Sequence, residues 1–219
     1  GVPLTIFNYG LKEELGRGGF GVVYKAIHKD SGRVVAVKIL PEGLAGDKRF
    51  VERFKRETRI LGNLKHPNIV GFVNADIENE MPYLMMELCE GKSLEDRLKG
   101  RSPSVEEAVG ISRQFLDALA YAHKEGVIHG DIHPGNILFD SKGKVKVGDF
   151  GLASIGEDLV RRGIYSYCGF SKMGRYAAPE RKDGIIVPQN DIYSFGLVLA
   201  EMLGRVPGTN RPMKEINRH

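Results

Sequence analysis

Cysteine is scarce in this 219-residue chain, which contains only Cys89 and Cys168. The two form neither a CxxC pair nor the cysteine and histidine spacing of a zinc site. No apolar run approaches the roughly 18 residues that a membrane-spanning helix requires. Residues 1–9 lack the basic start and the long apolar stretch of a signal peptide. We therefore expect a cytoplasmic protein of a reducing compartment, with no membrane segment in this chain.

The chain also lacks a large excess of charge of one sign. The 32 basic and 28 acidic side chains leave a formal net charge of +4, and they are interspersed along the chain. Nucleic-acid binding would require a clustered basic face, so we expect no nucleic-acid partner. A hydrophobic content of 42% is enough to bury one sizeable core or two small lobes in a soluble globular protein.

The first part of the chain has the patterns of strands and of one helix. Residues 22–26 and 34–39 are β-branched runs on either side of a turn-rich spacer. The apolar stripe of the predicted helix is formed by Phe50, Phe54, Leu61 and Leu64. Glu57 falls on the same stripe and requires a cationic partner, because an unpaired buried charge is costly. Residues 69–73 and 83–86 predict two further strands.

The second part is predicted to be mainly helical. Ser104 and Glu107 form a capping box that opens a long helix, and Gly126 ends it. Residues 137–147 predict a hairpin, since two short apolar runs flank a turn sequence. Residues 191–203 are apolar nearly all round, which predicts a fully buried helix.

A glycine-rich segment at residues 16–21 matches the pattern G-x-G-x-x-G. The pattern alone is weak evidence, because dinucleotide-binding folds use it to lead from a strand into a helix. Here it lies between two strand-like segments, as in a strand–turn–strand lid. Glycines let such a backbone lie against phosphate oxygens without a Cβ in the way. A plain glycine-rich hairpin remains the alternative for this segment taken alone.

Lys38 ends the apolar run at residues 34–39 and offers the cation that Glu57 requires. A lysine in this position can also simply extend to solvent. A pair with Glu57 would instead hold Lys38 at the α- and β-phosphates of a nucleotide. The glycine loop, strand lysine and helix glutamate, in this order, resemble the small-lobe signature of protein kinases.

Further motifs of the same family follow in the expected order. Residues 129–136 read His-Gly-Asp-Ile-His-Pro-Gly-Asn and resemble the catalytic loop H-R-D-x-x-x-x-N. Residues 149–151 are D-F-G and residues 178–180 are A-P-E. Residues 191–196 resemble the buried helix that braces the catalytic loop. Six motifs in order make a chance match implausible, and they identify a eukaryotic-like protein kinase of the serine/threonine or tyrosine type.

The resemblance implies an α+β, two-lobed fold with ATP in a cleft. We expect a β-rich N-lobe at residues 1–87 and a mainly helical C-lobe at residues 88–219. The expected C-lobe is shortened, as a minimal or truncated form of the family's lobe. Glu180 of A-P-E would then need Arg205 or Arg211 as its partner, or stay exposed.

The resemblance also implies the roles of site residues. The catalytic residues would be Asp131, Lys38, Glu57, His133, Asn136 and Asp149. Asp131 would accept or orient the proton of the attacking hydroxyl, while Asn136 and Asp149 would bind Mg²⁺ or Mn²⁺. The ATP-binding residues would be Leu15, Gly16, Arg17, Gly18, Gly19, Phe20, Gly21, Val22, Val23, Ala36, Lys38, Met86, Glu87, Cys89 and Leu138.

The catalytic loop departs from the family pattern at two informative positions. Gly130 replaces the arginine that normally grips a phosphorylated activation segment, so we expect little need for such phosphorylation. His133 replaces the lysine typical of serine/threonine kinases, and we expect nearby phosphate and carboxylate charges to favour its protonated form. The loop also resembles aminoglycoside and choline kinases, which usually lack A-P-E.

The leading function is therefore an ATP-dependent protein kinase, acting on serine or threonine rather than tyrosine. Its partner would be a protein substrate, with the kinase itself as one candidate. A small-molecule kinase is the first alternative, because of His133 and Gly135. A pseudokinase or scaffold that binds nucleotide without efficient transfer is the second.

Overall fold

The computed structural model describes residues 3–18, 21–164 and 172–204. This part of the chain divides into two compact units. The first unit contains residues 3–65, 71–88 and 155–164, and the second contains residues 66–70, 89–154 and 172–204. Compared with a linear division after residue 87, residues 66–70 belong to the second unit, and residue 88 and residues 155–164 belong to the first.

The first unit is built on an antiparallel sheet. Its strands are β1 (Thr5–Ile6), β2 (Tyr9–Gly18), β3 (Gly21–His28), β4 (Val34–Ile39), β5 (Phe72–Glu78) and β6 (Met81–Met86). Among the described residues the sheet has six strands in the order β1-β2-β3-β4-β6-β5. The strands predicted at residues 22–26, 34–39 and 83–86 are confirmed.

The strand predicted at residues 69–73 is wrong in its bounds, because β5 begins only at Phe72. The backbone just before it binds elsewhere in the second unit. Val70 N–H donates to the Val147 carbonyl at 3.0 Å, and Val147 N–H donates to the Asn68 carbonyl at 2.8 Å. These bonds satisfy backbone groups that a longer β5 would have paired.

The sheet has one face that packs into a buried cluster and a second, opposite face. The packed face contributes Tyr24, Ala26, Val35, Val37, Ile39, Tyr83 and Met85 to a buried cluster with Ile6 and Tyr9. Because side chains alternate along a strand, Val23, Ala36, Lys38 and Met86 belong to the opposite face. The register of the sheet therefore places several predicted site residues together.

The helix α1 (Lys48–Asn63) completes the first unit before β5. Asp47 caps it, since its side chain accepts a hydrogen bond from Phe50 N–H at 2.8 Å. The predicted apolar stripe is confirmed, because Phe50, Phe54, Leu61 and the following Leu64 are all buried.

The remaining elements are mainly helical. They are α2 (Leu94–Gly100), α3 (Val105–Lys124), β7 (Ile137–Phe139), β8 (Val145–Val147), α4 (Ala153–Arg161) and α5 (Pro188–Met202). Strands β7 and β8 pair as the predicted hairpin, with Ile137 opposite Val147. None of the helices in the described ranges is long and apolar enough to span a membrane.

The start of α3 follows half of the predicted capping box. Ser104 Oγ accepts from Glu107 N–H at 3.1 Å. The Glu107 carboxylate pairs with Arg101 Nη2 at 3.2 Å. The end follows the prediction, because Gly126 adopts a left-handed φ of 77° just after the helix.

The prediction that α5 is fully buried is wrong. Ile192 and Tyr193 are 54% and 46% exposed. The buried positions recur at helical spacing and include Asp191, Ser194, Phe195, Val198 and Met202. Phe195 stacks on Phe115 of α3, with ring centroids 4.5 Å apart. The helix therefore buries one side and exposes apolar residues on the other.

Candidate active site

The nucleotide-binding residues predicted in the first unit lie on neighbouring strands. Val23 of β3 pairs with Lys38 of β4, and Ala36 of β4 pairs with Met86 of β6. All four share the face opposite the packed cluster. Lys38 is buried there.

The glycine-rich segment joins β2 to β3, as predicted for a strand–turn–strand lid. Its register pairs Gly16 with Val23, Arg17 with Val22 and Gly18 with Gly21. A Cβ at position 21 would lie 2.5 Å from the carbonyl oxygen of Ile39, so the close strand approach requires glycine. Gly19 and Phe20 lie outside the described residues.

Glu57 lies on α1, and its side chain is 17% exposed. Its carboxylate oxygen Oε1 is 3.8 Å from Arg56 Nε. The neighbouring guanidinium is thus a cationic partner of Glu57 in this structure. The pair between Lys38 and Glu57 stays a prediction for the nucleotide-bound state.

The segment after β6 carries the residues predicted to bind adenine through their backbone. Glu87 is tied to Gly71 twice, since its N–H donates to the Gly71 carbonyl at 2.8 Å and its carboxylate accepts from Gly71 N–H at 2.9 Å. In the second unit, Gly91 N–H donates to the Phe139 carbonyl at 2.9 Å. That bond brings the stretch after Cys89 beside β7, the strand that contains Leu138.

The catalytic-loop sequence is held by a buried carboxylate at the start of α5. Asp191 accepts hydrogen bonds from His129 N–H at 2.9 Å and from Gly130 N–H at 2.8 Å. His123 Nε2 donates to the same carboxylate at 2.8 Å. Buried hydrogen bonds to a charged group are strong, so this contact fixes the backbone immediately before Asp131.

Asp131 and Asn136 are brought together within this loop. Asn136 Nδ2 donates to the Asp131 carbonyl at 2.7 Å. The Asn136 carbonyl accepts from Gly148 N–H at 2.9 Å. His129 Nε2 donates to the Gly148 carbonyl at 2.6 Å. The loop thereby also holds the residue that directly precedes Asp149.

The side chains of Asn136 and Asp149 fit a divalent cation that prefers oxygen ligands. The Asn136 amide uses its nitrogen to bind the Asp131 carbonyl, so Oδ1 is the amide atom that could ligate a cation. Asp149 adopts a left-handed φ of 61° at the turn that begins D-F-G, and it supplies a carboxylate. An amide oxygen and a carboxylate are ligands that Mg²⁺ accepts.

His133 is buried. Its Nδ1 accepts a hydrogen bond from Gly135 N–H at 3.0 Å. Its Nε2 lies 3.8 Å from Asp131 Oδ2. Because Nδ1 carries no proton while it accepts this bond, the expected protonated form requires the bond to Gly135 to open. A Cβ at position 135 would lie 2.8 Å from the imidazole Cε1, so the ring also favours glycine there.

The A-P-E segment finds its partners on α5. Glu180 Oε1 accepts from Asn190 Nδ2 at 2.6 Å. The expected partners Arg205 and Arg211 lie outside the described residues. The sequence analysis did not identify Asn190 as a partner of Glu180. The available indication was its position next to Asp191, the first residue of the predicted buried helix.

A buried tyrosine joins the same helix. Ser194 Oγ donates to the Tyr176 carbonyl at 2.6 Å, and the Tyr176 hydroxyl donates to Glu201. Burial, reinforced by the Glu201 carboxylate, holds the pKa of Tyr176 well above its usual range. The tyrosine is therefore a permanent donor that fixes the segment before A-P-E.

Helix α4, after D-F-G, was not predicted from the sequence. The available signal in the sequence was the spacing of the apolar residues Ile155 and Leu159, which are four positions apart, as on one side of a helix. Both are buried in the structure. From Ile155 onward, the described residues of this segment belong to the first unit.

An ionic cluster connects the residues around α4 to those around α1. Asp158 is buried and forms ion pairs with Arg49 Nη2 at 2.7 Å and with Arg162 Nε at 3.1 Å. Arg162 also binds Asp47, the cap of α1, at 2.9 Å. The Arg162 guanidinium, with a further hydrogen bond from Phe50 N–H, lowers the pKa of Asp47. This cluster could not be predicted from the sequence, because its residues come from two segments that are far apart along the chain.

Residues 9–219 match the family model of the protein kinase domain. The chain belongs to the protein kinase family. It is 37% identical to the serine/threonine-protein kinase PrkC of Bacillus subtilis over 202 residues, which cover 91% of this chain and 31% of that protein. It is 38% identical over 213 residues to the probable serine/threonine-protein kinase PknB of Bifidobacterium longum, covering 92% of this chain and 31% of that protein. This kinase chain thus spans about a third of the length of those relatives.

A solved structure supports the kinase fold. The crystal structure of the PknI kinase domain of Mycobacterium tuberculosis matches with a TM-score of 0.71 and 26% identity. The match covers 94% of this chain and 78% of the other. The predicted α+β kinase fold, with a β-rich N-lobe and a helical C-lobe, is confirmed.

Proposed function

We propose that this kinase domain transfers the γ-phosphate of ATP to a serine or threonine hydroxyl of a protein. The observation that carries the proposal is the loop in which Asn136 Nδ2 binds the Asp131 carbonyl while Asp191 holds the preceding backbone. The loop presents a carboxylate and an amide oxygen from one braced segment. Phosphoryl transfer depends mainly on such positioning and on charge stabilisation. The serine/threonine class is supported by the names of the curated relatives.

Asp131 is the residue that orients the acceptor hydroxyl and takes its proton. Lys38 holds the α- and β-phosphates, with Glu57 as its partner when nucleotide is bound. Asn136 and Asp149 hold Mg²⁺, or Mn²⁺ in its place. The bound cation offsets the negative charge of the phosphates.

His133 acts in this proposal as a hydrogen-bond donor through Nε2, which lies 3.8 Å from Asp131 Oδ2. We expect nearby phosphate and carboxylate charges to favour its protonated form, which adds a positive charge at the site. That form requires the bond from Gly135 N–H to Nδ1 to open. Its contribution therefore differs from the permanent charge of a lysine.

ATP binding falls to residues of the glycine-rich segment and to apolar side chains that contact the adenine ring. Val23, Ala36 and Leu138 provide apolar surface, while Met86 ends the strand before the adenine-binding backbone. Glu87 and Cys89 provide that backbone. The support is the shared sheet face of Val23, Ala36 and Met86 and the family resemblance.

We also propose that the partner is a protein substrate, with the kinase itself among the candidates, and that nucleic acid is not a partner. A cytoplasmic location is supported by the low cysteine content and by the requirement for ATP.

The test is to incubate the chain with labelled ATP, Mg²⁺ and generic protein acceptors and to map the phosphorylated residues. We expect phosphoserine and phosphothreonine on the acceptors or on the chain. Asp131→Asn should remove transfer with nucleotide binding largely kept, and Asp149→Asn should remove Mg²⁺-dependent turnover. Asp117→Asn, on the exposed face of α3, is the matched control and should keep the full rate.

Other outcomes would select the alternatives. Transfer to an aminoglycoside or to choline, without transfer to protein, would identify a small-molecule kinase. Nucleotide binding without transfer to any acceptor would identify a pseudokinase. Loss of nucleotide binding in Asp131→Asn, with turnover per bound nucleotide intact, would contradict the role given to Asp131.

A further inference from the structure

Arg181 is a cationic residue that none of the proposed roles uses, and it is only 2% exposed. It lies in the 3-10 turn Pro179–Asp183, directly after A-P-E. Its N–H donates to the Ala178 carbonyl at 2.9 Å, and its carbonyl accepts from Gly184 N–H at 3.1 Å. These two backbone bonds thus fix the position of the Arg181 main chain, from which its side chain extends. A guanidinium so deeply buried needs hydrogen-bond acceptors.

One acceptor of Arg181 is the catalytic-loop backbone. Arg181 Nε donates to the carbonyl oxygen of Gly130 at 3.3 Å, in a buried contact. This oxygen belongs to the peptide group that joins Gly130 to Asp131. The guanidinium therefore acts on the backbone immediately before the proposed proton acceptor.

Gly130 is also the position at which the usual catalytic-loop arginine is missing. Its φ is 83°, in the left-handed region, and a Cβ there would lie 2.6 Å from the Cβ of Ala153. A side chain at position 130 would be strained and would collide with Ala153. The guanidinium beside this backbone comes instead from Arg181, in the turn after A-P-E.

The peptide group before Asp131 is fixed at both ends. Its N–H, on Asp131, donates to His129 Nδ1 at 3.1 Å, and its oxygen accepts from Arg181. The preceding N–H, on Gly130, donates to Asp191 at 2.8 Å. Together these bonds restrict rotation of the peptide plane from which the Asp131 side chain projects.

We propose that Arg181 is a positioning residue that orients Asp131 through the Gly130 carbonyl. The inference rests on the proposed function, in which Asp131 orients the acceptor hydroxyl. Loss of this buried, charged donor takes away a hydrogen bond of the Gly130 carbonyl, so the peptide plane becomes freer to turn. A displacement of catalytic atoms by about 1 Å can cost about 100-fold in rate.

The test compares Arg181→Met and Arg181→Lys with Lys182→Met, which removes an exposed cation from the same turn. For each variant one measures kcat, the dissociation constant of ATP, thermal stability, and hydrogen exchange in peptides covering residues 129–136. In Arg181→Met we expect kcat to fall about 10- to 100-fold with ATP affinity changed less than about two-fold. Exchange should rise in residues 129–136, and Lys182→Met should match the wild type.

Arg181→Lys decides the matter if Arg181→Met does not fold. Lysine keeps a cationic donor but not the planar guanidinium, so we expect a kcat about 3- to 10-fold below wild type, with faster exchange in residues 129–136. Wild-type kcat and exchange in Arg181→Lys, without a folded Arg181→Met, would overturn the inference. A folded Arg181→Met with full kcat, or with kcat and ATP affinity lost in equal proportion, would also overturn it.

A parallel assay of Asp131→Asn separates this inference from the proposed function. If Asp131→Asn keeps full turnover, the role of Asp131 fails, and the role of Arg181 fails with it. If Asp131→Asn is inactive while Arg181→Met keeps its full rate, the proposed function stands and only the inference about Arg181 is overturned.

Discussion

Arg162 donates hydrogen bonds to both carboxylate oxygens of Asp47, through Nη1 at 2.9 Å and Nη2 at 3.1 Å. Asp47 caps α1, the helix that carries Glu57, and Arg162 directly follows α4. The bidentate contact therefore ties the position of α1 to the segment after D-F-G. In this arrangement the carboxylate of Glu57 contacts Arg56.

We expect Arg162→Gln to raise the initial rate of phosphate transfer about two- to five-fold, because a partly exposed ion pair of this kind restrains a helix only modestly. Release of the first turn of α1 would let Glu57 approach Lys38. The measurement is the initial rate of the dephosphorylated protein at saturating ATP. Arg161→Gln, which changes the exposed neighbour, should leave the rate unchanged. A folded Arg162→Gln with an unaltered or lower rate would show that this contact does not restrain α1.

The predicted pair between Lys38 and Glu57 has its own test. Glu57→Gln should lower kcat about ten-fold or more, since a hydrogen bond between two charged groups becomes a weaker one to an amide. Arg56→Gln removes the contact of Glu57 seen here and should keep the rate. A structure with ATP and Mg²⁺ bound, in which Glu57 faces solvent and Lys38 lies far from phosphate, would count against the pair.

The stacked pair of Phe115 and Phe195 should contribute much of the stability of the second unit. Phe115 is fully buried, so Phe115→Ala should cost about 3–5 kcal/mol in free energy of unfolding, from lost burial and a residual cavity. Leu116→Ala, at the exposed neighbouring position, should cost less than about 0.5 kcal/mol. Urea denaturation of the two variants checks the contrast, and equal losses would contradict it.

His66 should make the stability fall on mild acidification. Burial lowers its pKa, Asp117 partly offsets this and Lys146 adds to it, while Nδ1 accepts from Asn68 N–H at 3.0 Å. The folded state therefore binds fewer protons than the unfolded state. The stabilisation is complete above the unfolded pKa of about 6.5 and is lost as pH falls toward the lowered folded value.

The measurement is the urea midpoint as a function of pH across the range just below neutrality. His66→Asn keeps an acceptor for Asn68 N–H but cannot be protonated, so this contribution to the decline should disappear. His28→Asn, in the first unit, should retain the decline because His66 is unchanged. Identical pH profiles for His66→Asn and the wild type would exclude the role of His66.

Local patterns in the sequence predicted the strands, α1 and the hairpin, because alternation and helical spacing report which side of an element is buried. The loop string at residues 129–136 likewise located Asp131 and Asn136 correctly within one segment. These features depend on neighbours along the chain. The catalytic roles of the residues remain predictions.

Partners distant in the sequence could not be predicted in the same way. The sequence alone suggests that Arg181 is an exposed residue of a turn, whereas in the fold its guanidinium binds the Gly130 carbonyl. The hydrogen bond that His133 Nδ1 accepts from Gly135 N–H likewise could not be deduced from a count of charges. The exposed Ile192 also shows that apolar residues on every side of a helix do not establish which side is buried in the described part of the chain.

The grip of Asp191 on two main-chain N–H groups has a consequence for how this kinase domain can diversify. Every residue except proline offers a peptide N–H, so these two bonds themselves make no demand on the side chains that the loop carries. The side chain at position 133 can therefore change while both anchors stay the same. A substitution there requires no redesign of the helix that carries Asp191.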